Sequence, residues 1–184
     1  MGLREDVLRI LCSGEARRIN FTFTTTTGGS VTIDQNSFRA VAHAIEQEHI
    51  HLHEGGVPQG AAVYNRWHNR LSIGVGGRQS RIFEALIIHE AVHAFFDIRH
   101  ISLPEVDSEA AGYIAQGCYL RTSNFDRNRL GQSENNEVLT GMLIADGIAA
   151  RHSVSTANLN ELRASLRGDN HYRRYISGTF AGNG

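Results

Sequence analysis

Ile82-Phe83-Glu84-Ala85-Leu86-Ile87-Ile88-His89-Glu90-Ala91-Val92-His93-Ala94-Phe95-Phe96 is the stretch that decides the reading of this 184-residue chain. It holds no Gly or Pro, and its apolar residues leave no face of a 3.6-residue period fully polar, which predicts a central helix rather than a surface one. On such a helix His89 and His93 stand on one face, one turn apart, so their imidazoles can converge on a single metal ion. Burying two histidines and a glutamate costs on the order of several kcal/mol unless it is compensated, and a cation compensates all three.

Glu90 sits one residue round the helix from His89, beside the expected ion without pointing at it. Its carboxylate can there take a proton from an attacking water, which makes Glu90 the candidate general base. With ten His and twelve Glu in the chain, chance alone would place His-Glu-x-x-His about 0.03 times. The alternative of two core histidines held only by hydrogen bonds lacks a reason for the spacing. Zinc is the expected ion, one per chain.

A catalytic zinc site takes three protein ligands and leaves a fourth position open. Asp97, His100, Glu105, Asp107 and Glu109 are the downstream candidates. If the helix continues, the Cα of His100 lies about 10 Å further along the axis than that of His93. No Gly occurs between Ala94 and Ala111 to fold the chain back. Ser102-Leu103-Pro104-Glu105 reads as a helix stop and restart, with proline at the first helical position and acidic residues in the first turn. Packing the two helices as an antiparallel hairpin around residue 102 brings Glu109 within roughly one turn of His93. Asp107 points about 200° away from Glu109 and Glu105 stays near the loop, so Glu109 is the candidate third ligand.

The pattern His89-Glu90-Ala91-Val92-His93 followed by Glu109-Ala110-Ala111-Gly112-Tyr113-Ile114-Ala115 resembles the gluzincin branch of the zincin metallopeptidases, over about residues 80–121. Glu followed by small residues is similar to ImmA/IrrE-type peptidases, whereas Ser108 stands where the thermolysin-like pattern has Asn. The metzincin pattern is not met, because Phe96 and Arg99 occupy its Gly and His places. The resemblance implies a zinc metallopeptidase acting on a protein or peptide substrate. It also implies that residues 71–75, on the strand just before the motif helix, form the edge that pairs with extended substrate. A compact domain of this kind is similar to peptidase effector domains of bacterial toxin systems, which would bring a cognate inhibitor or immunity protein as partner. Two other functions fit the same residues: a non-catalytic binding protein with a structural zinc, and a regulatory peptidase of narrow specificity.

A donor for the developing oxyanion is also expected. His152, at the end of an apolar helix from Glu137 to Arg151, is the catalytic candidate, with Tyr113, His171, Tyr172 and Tyr175 as rivals. Asp97, four residues beyond His93, is read as a surface contact or as the partner of a ligand imidazole, and Asp146 as a second such partner. His43, His49, His51 and His53 form another cluster, in which His49 and His53 share helical spacing. A second metal is conceivable there, but no base lies between them, and a solvated helix end with adventitious metal affinity is the expected reading.

Net charge is −1 and the isoelectric point about 6.8, which argues against nucleic acid or acidic membrane as partner. All eighteen basic residues are arginine, which a GC-rich genome explains, as would selection against lysine modification in a protein delivered into a eukaryotic cell; the first is the expected reading. Cys12 and Cys118 match no metal or redox spacing and are read as small buried residues. No apolar run is long enough to span a membrane and the first residues are not a signal peptide, so the expectation is a soluble protein, cytoplasmic or exported by a non-classical route.

The expected elements are a helix at 3–12, strands at 19–26 and 30–34, a helix at 36–53, a hairpin at 61–75, the motif helix at 80–100 and the ligand helix at 104–121. A polar loop (122–133) and helices at 134–151 and 156–167 follow. The fold class is α+β in a single domain, 1–184, zincin-like by resemblance: a small, mostly antiparallel sheet ahead of a helical half.

Overall fold

A computed structural model of the chain describes residues 2–76, 80–130, 136–151 and 153–183. The fold is α+β. Helix α1 (Leu3–Leu11) and the short α2 (Gly14–Arg17) lead into an antiparallel pair, β1 (Phe21–Thr24) and β2 (Ser30–Ile33). After α3 (Gln35–Glu46) comes a three-stranded sheet of β3 (His51–Glu54), β4 (Ala62–Asn65) and β5 (Arg70–Ile73). Two long helices follow, α4 (Arg81–Ile98) and α5 (Glu105–Thr122). They are joined through β6 (Ser102–Pro104), which pairs with the C-terminal β7 (Thr179–Ala181). Helices α6 (Asn136–Arg151) and α7 (Thr156–Gly168) complete the helical half.

The motif helix is buried along almost its whole length, with Phe83, Ala85, Ile87, Ile88, Ala91, Val92, Ala94 and Phe96 in the core, as its all-round apolar pattern requires. Ser80 caps its N-terminus through the Phe83 N–H. Helix α5 crosses α6 closely, because Gly117 lies against the backbone of Gly141 and a Cβ there would meet the Gly141 carbonyl carbon at 2.3 Å. Among the described residues no helix is long and apolar enough to cross a membrane.

The expected helix at 36–53 ends instead at Glu46. Gln47 caps it, Glu48 takes a positive φ of 59°, and the N–H groups of Glu48 and His49 return to the carbonyls of Ile45 and Ala44. This is a Schellman ending with glutamate where glycine is usual. His51 and His53 therefore lie on β3, not on a helix with His49, and His43 stands 3.9 Å from Glu46.

That change rewrites the sheet. Strand β3 pairs in parallel with β5, and β4 pairs antiparallel with β5 on the other side. Residues 71–73 are thus central and their main chain is bonded on both flanks, which removes them as a substrate edge. The edge beside the motif helix is β4. Cys12 is exposed because it follows the last turn of α1, off the stripe of Val7, Ile10 and Leu11, whereas Cys118 is buried.

Candidate metal centre

Helices α4 and α5 run as the antiparallel hairpin expected, and their facing side chains build the site. The imidazole nitrogens of His89 and His93 and a carboxylate oxygen of Glu109 lie within 4.8 Å of one another, all three residues buried. Glu109 Oε2 is 3.3 Å from His89 Nε2 and 3.8 Å from His93 Nε2.

The far nitrogen of each ring is occupied. His89 Nδ1 meets Gln116 Oε1 at 3.2 Å, and His93 Nδ1 meets Ser108 Oγ at 2.8 Å. Gln116 offers His89 Nδ1 only an acceptor, so Nδ1 carries a proton and Nε2 is the ring nitrogen that faces Glu109. The ring of His89 also needs space. A Cβ on Gly112 would come within 2.7 Å of His89 Nε2 and 2.8 Å of two of its ring carbons, so only glycine allows α5 this close. Tyr113 closes the other side, its ring edge-on to His89 at 4.6 Å.

These features fit a cation. Two neutral imidazoles and one carboxylate are the ligand types a divalent transition metal takes, and partners on the distal nitrogens are what orient such ligands. The His89–His93–Glu109 group could hold a metal ion. Burial pushes His93 down to about 4, which keeps it neutral. Burial opposes a charge on His89 as well, but the Glu109 hydrogen bond and the carboxylates of Glu90 and Glu109 outweigh it and raise that imidazole. Burial also acts on Glu109, yet its neighbours His93 and His89 hold it below the ordinary carboxylate range.

Glu90 lies under β4, where its Oε2 accepts the Tyr64 main-chain N–H at 2.7 Å. Burial pushes its carboxyl up to about 7, against the opposing influences of His89 and the Tyr64 N–H. Tyr64 is held at its other end too, its hydroxyl donating to Asp97 Oδ2 at 2.6 Å. Asp97 is fully buried and also accepts the Asn183 N–H at 2.7 Å. It is therefore neither a surface contact nor the partner of a ligand imidazole; those partners are Ser108 and Gln116.

The rival ligands are engaged elsewhere. His100 is exposed, with φ of 52° in the turn that ends α4. Asp107 accepts Thr26 N–H at 2.8 Å and forms a buried ion pair with Arg163. Glu105 pairs with Arg66 at 3.0 Å. Asp146 is on the surface between Arg121 and Arg127, far from its expected place beside an imidazole. Among the described residues no second group of His, Cys, Asp or Glu gathers as a metal set, the His43/His49/His51/His53 cluster included.

His152 lies outside the described residues. Of its rivals, Tyr113 and Tyr172 touch through their hydroxyls next to His89, and Tyr175 packs edge-on against Tyr172 at 5.7 Å. Burial and the nearby Glu109 raise the Tyr172 and Tyr175 hydroxyls, so both remain protonated donors. His171 is exposed, near enough for its charge to act on Glu109. On the opposite side the Phe180 ring stacks on His93 at 6.0 Å, and Arg66 covers Phe180 at 4.8 Å.

Ser108, Gly112 and Gln116 were not among the residues singled out from sequence. Their signal is a four-residue step along α5 on the side that meets His89 and His93. Tyr64 and Arg66 carried no such signal, since only the packing of β4 on α4 brings them in. No protein-family model, curated protein or solved structure matches the chain.

Proposed function

We propose that the protein is a zinc-dependent peptidase of the zincin type, with His89, His93 and Glu109 as ligands and Glu90 as general base. The observation that carries this reading is the double anchoring of both imidazoles, Nε2 toward Glu109 and Nδ1 on Gln116 and Ser108. Zinc bound there would supply a Lewis acid that polarises a peptide carbonyl and lowers the pKa of water.

The protein's own groups do the rest. Glu90, buried and raised to about 7, is matched to neutral pH for taking a proton from water and giving it to the leaving amine. Tyr64 holds that carboxylate through its N–H, and β4, which pairs only with β5 among the described residues, is the strand an extended peptide would run beside near Glu90. Tyr172 and Tyr175 are protonated hydroxyls near Glu109, suited to stabilising negative charge on the carbonyl oxygen.

The test is metal analysis by mass spectrometry together with hydrolysis of denatured casein. Wild type should carry one zinc and cut casein. Glu90→Gln should keep the zinc and lose on the order of 10²-fold or more in rate, while Glu109→Ala should lose metal and activity together. A wild-type rate in Glu90→Gln would refute the assignment of the base. Zinc in wild type without any hydrolysis would make the centre a structural one.

A further inference from the structure

We propose that Trp67 forms one wall of a subsite that selects an aromatic or large aliphatic side chain of an extended peptide, about three residues from the bond cleaved. The inference rests on the peptidase reading and adds to it a class of substrate.

Trp67 is the single tryptophan of the chain and is 71% exposed. An exposed apolar side chain is ordinary in itself. What distinguishes this one is that it is held firmly in that position. Its N–H donates to Asn65 Oδ1 at 3.0 Å, and Asn69, with φ of 43°, closes the short 3₁₀ turn of residues 66–68. The Arg66 guanidinium lies 5.3 Å from the indole and 4.8 Å from the Phe180 ring, and Glu105 holds it at 3.0 Å. Phe180 in turn stacks on His93. A chain of contacts thus fixes the indole relative to the metal ligands, and a rigid aromatic surface facing solvent binds at low entropic cost.

The path of a bound peptide follows from β4. The Gly74 N–H donates to the Ala61 carbonyl at 2.9 Å, so residues 61, 63 and 65 direct their main-chain groups to β5, and Ala62 and Tyr64 direct theirs away from it, on the side of Glu90. Tyr64 is also the residue whose N–H reaches Glu90. A peptide that passes Glu90 beside Tyr64 and continues beyond the end of β4 at Asn65 meets the turn that carries Trp67 within about three residues, because Tyr64 and Trp67 are at most about 10 Å apart along the chain. Tyr175, 39% exposed, lies against Tyr172 beside the ligand group. Because Glu105 neutralises Arg66, the subsite has no excess charge to attract an acidic side chain.

Being the only tryptophan, Trp67 reports its own occupancy. Two capped decapeptides cut by the wild type, differing only in Phe or Asp about three residues from the cleaved bond, are titrated into zinc-loaded Glu90→Gln. Emission should shift to the blue with the Phe peptide and stay unchanged with the Asp peptide. Trp67→Ala should raise KM for the Phe peptide roughly tenfold, with kcat within about twofold, and Trp67→Phe should restore most of it. Calorimetric binding of both peptides with unchanged emission and equal KM would overturn the subsite while the peptidase reading stood. A wild type that loads zinc and cuts neither casein nor peptides would refute both.

Discussion

The interior of the site and its rim are built on different principles. The interior comes from two 18-residue helices whose facing residues are buried, and each histidine there is engaged at both ring nitrogens. The rim comes from short pieces distant in sequence: the four residues of β4, the turn at 66–68, the turns around Tyr172 and the three residues of β7. The geometry of the ligand group accordingly depends on the spacing between α4 and α5, whereas contacts at the rim can change without moving it.

The largest effect should come from disturbing that spacing at Gly112. Alanine there would place a Cβ within 2.8 Å of three atoms of the His89 ring. The ring cannot swing aside without losing Gln116 or colliding with Tyr113. Overpacking of this kind costs about 1–3 kcal/mol, and a displaced ligand should weaken metal binding by more than about 100-fold. Competition with a chromophoric chelator measures this. Unchanged affinity would mean that the α4–α5 distance is not what positions His89.

A step smaller, Ser108→Ala leaves the hairpin intact and removes only the partner of His93 Nδ1. Metal affinity should fall about 10–100-fold, and the unpartnered buried Nδ1 should cost about 1–3 kcal/mol of stability. A rim variant such as Trp67→Ala should leave metal affinity as it was, so measuring both in one chelator assay tests the division between interior and rim. Equal losses from the two would abolish it.

The same division explains what could be read from sequence. His89, Glu90 and His93 are neighbours through helical spacing alone, and Glu109 required only that Pro104 restart a helix and that two helices pack antiparallel. Ser108, Gly112 and Gln116 needed the register of that packing to within one residue. Tyr64, Arg66 and Phe180 depend on contacts between segments more than 25 residues apart, which no local pattern encodes. The error at 36–53 had a different origin: a helix end without glycine or proline. It concealed β3, and the missing strand in turn made β5 look like an edge.

Three helices end in this glycine-free way, α3 at Glu48, α4 at His100 and α5 at Asn124, with φ of 59°, 52° and 53°. In α4 the N–H groups of His100 and Ile101 return to the carbonyls of Asp97 and Phe96, which satisfies the helix end at the expense of a strained residue. An L-residue with a Cβ loses about 1 kcal/mol in this conformation, and Asn loses less because its short polar side chain tolerates it. His100→Gly and Glu48→Gly should therefore each stabilise the protein by up to about 1 kcal/mol, and Asn124→Gly by less, read from urea midpoints. His100→Gly also bears on the site. Histidine at this position is a rival third ligand by sequence, yet His100 is exposed in the turn that ends α4, so the variant should bind metal as tightly as wild type. A more stable protein with unaltered metal affinity would separate the helix stop from the metal centre, and loss of zinc would return His100 to the ligand set and displace Glu109.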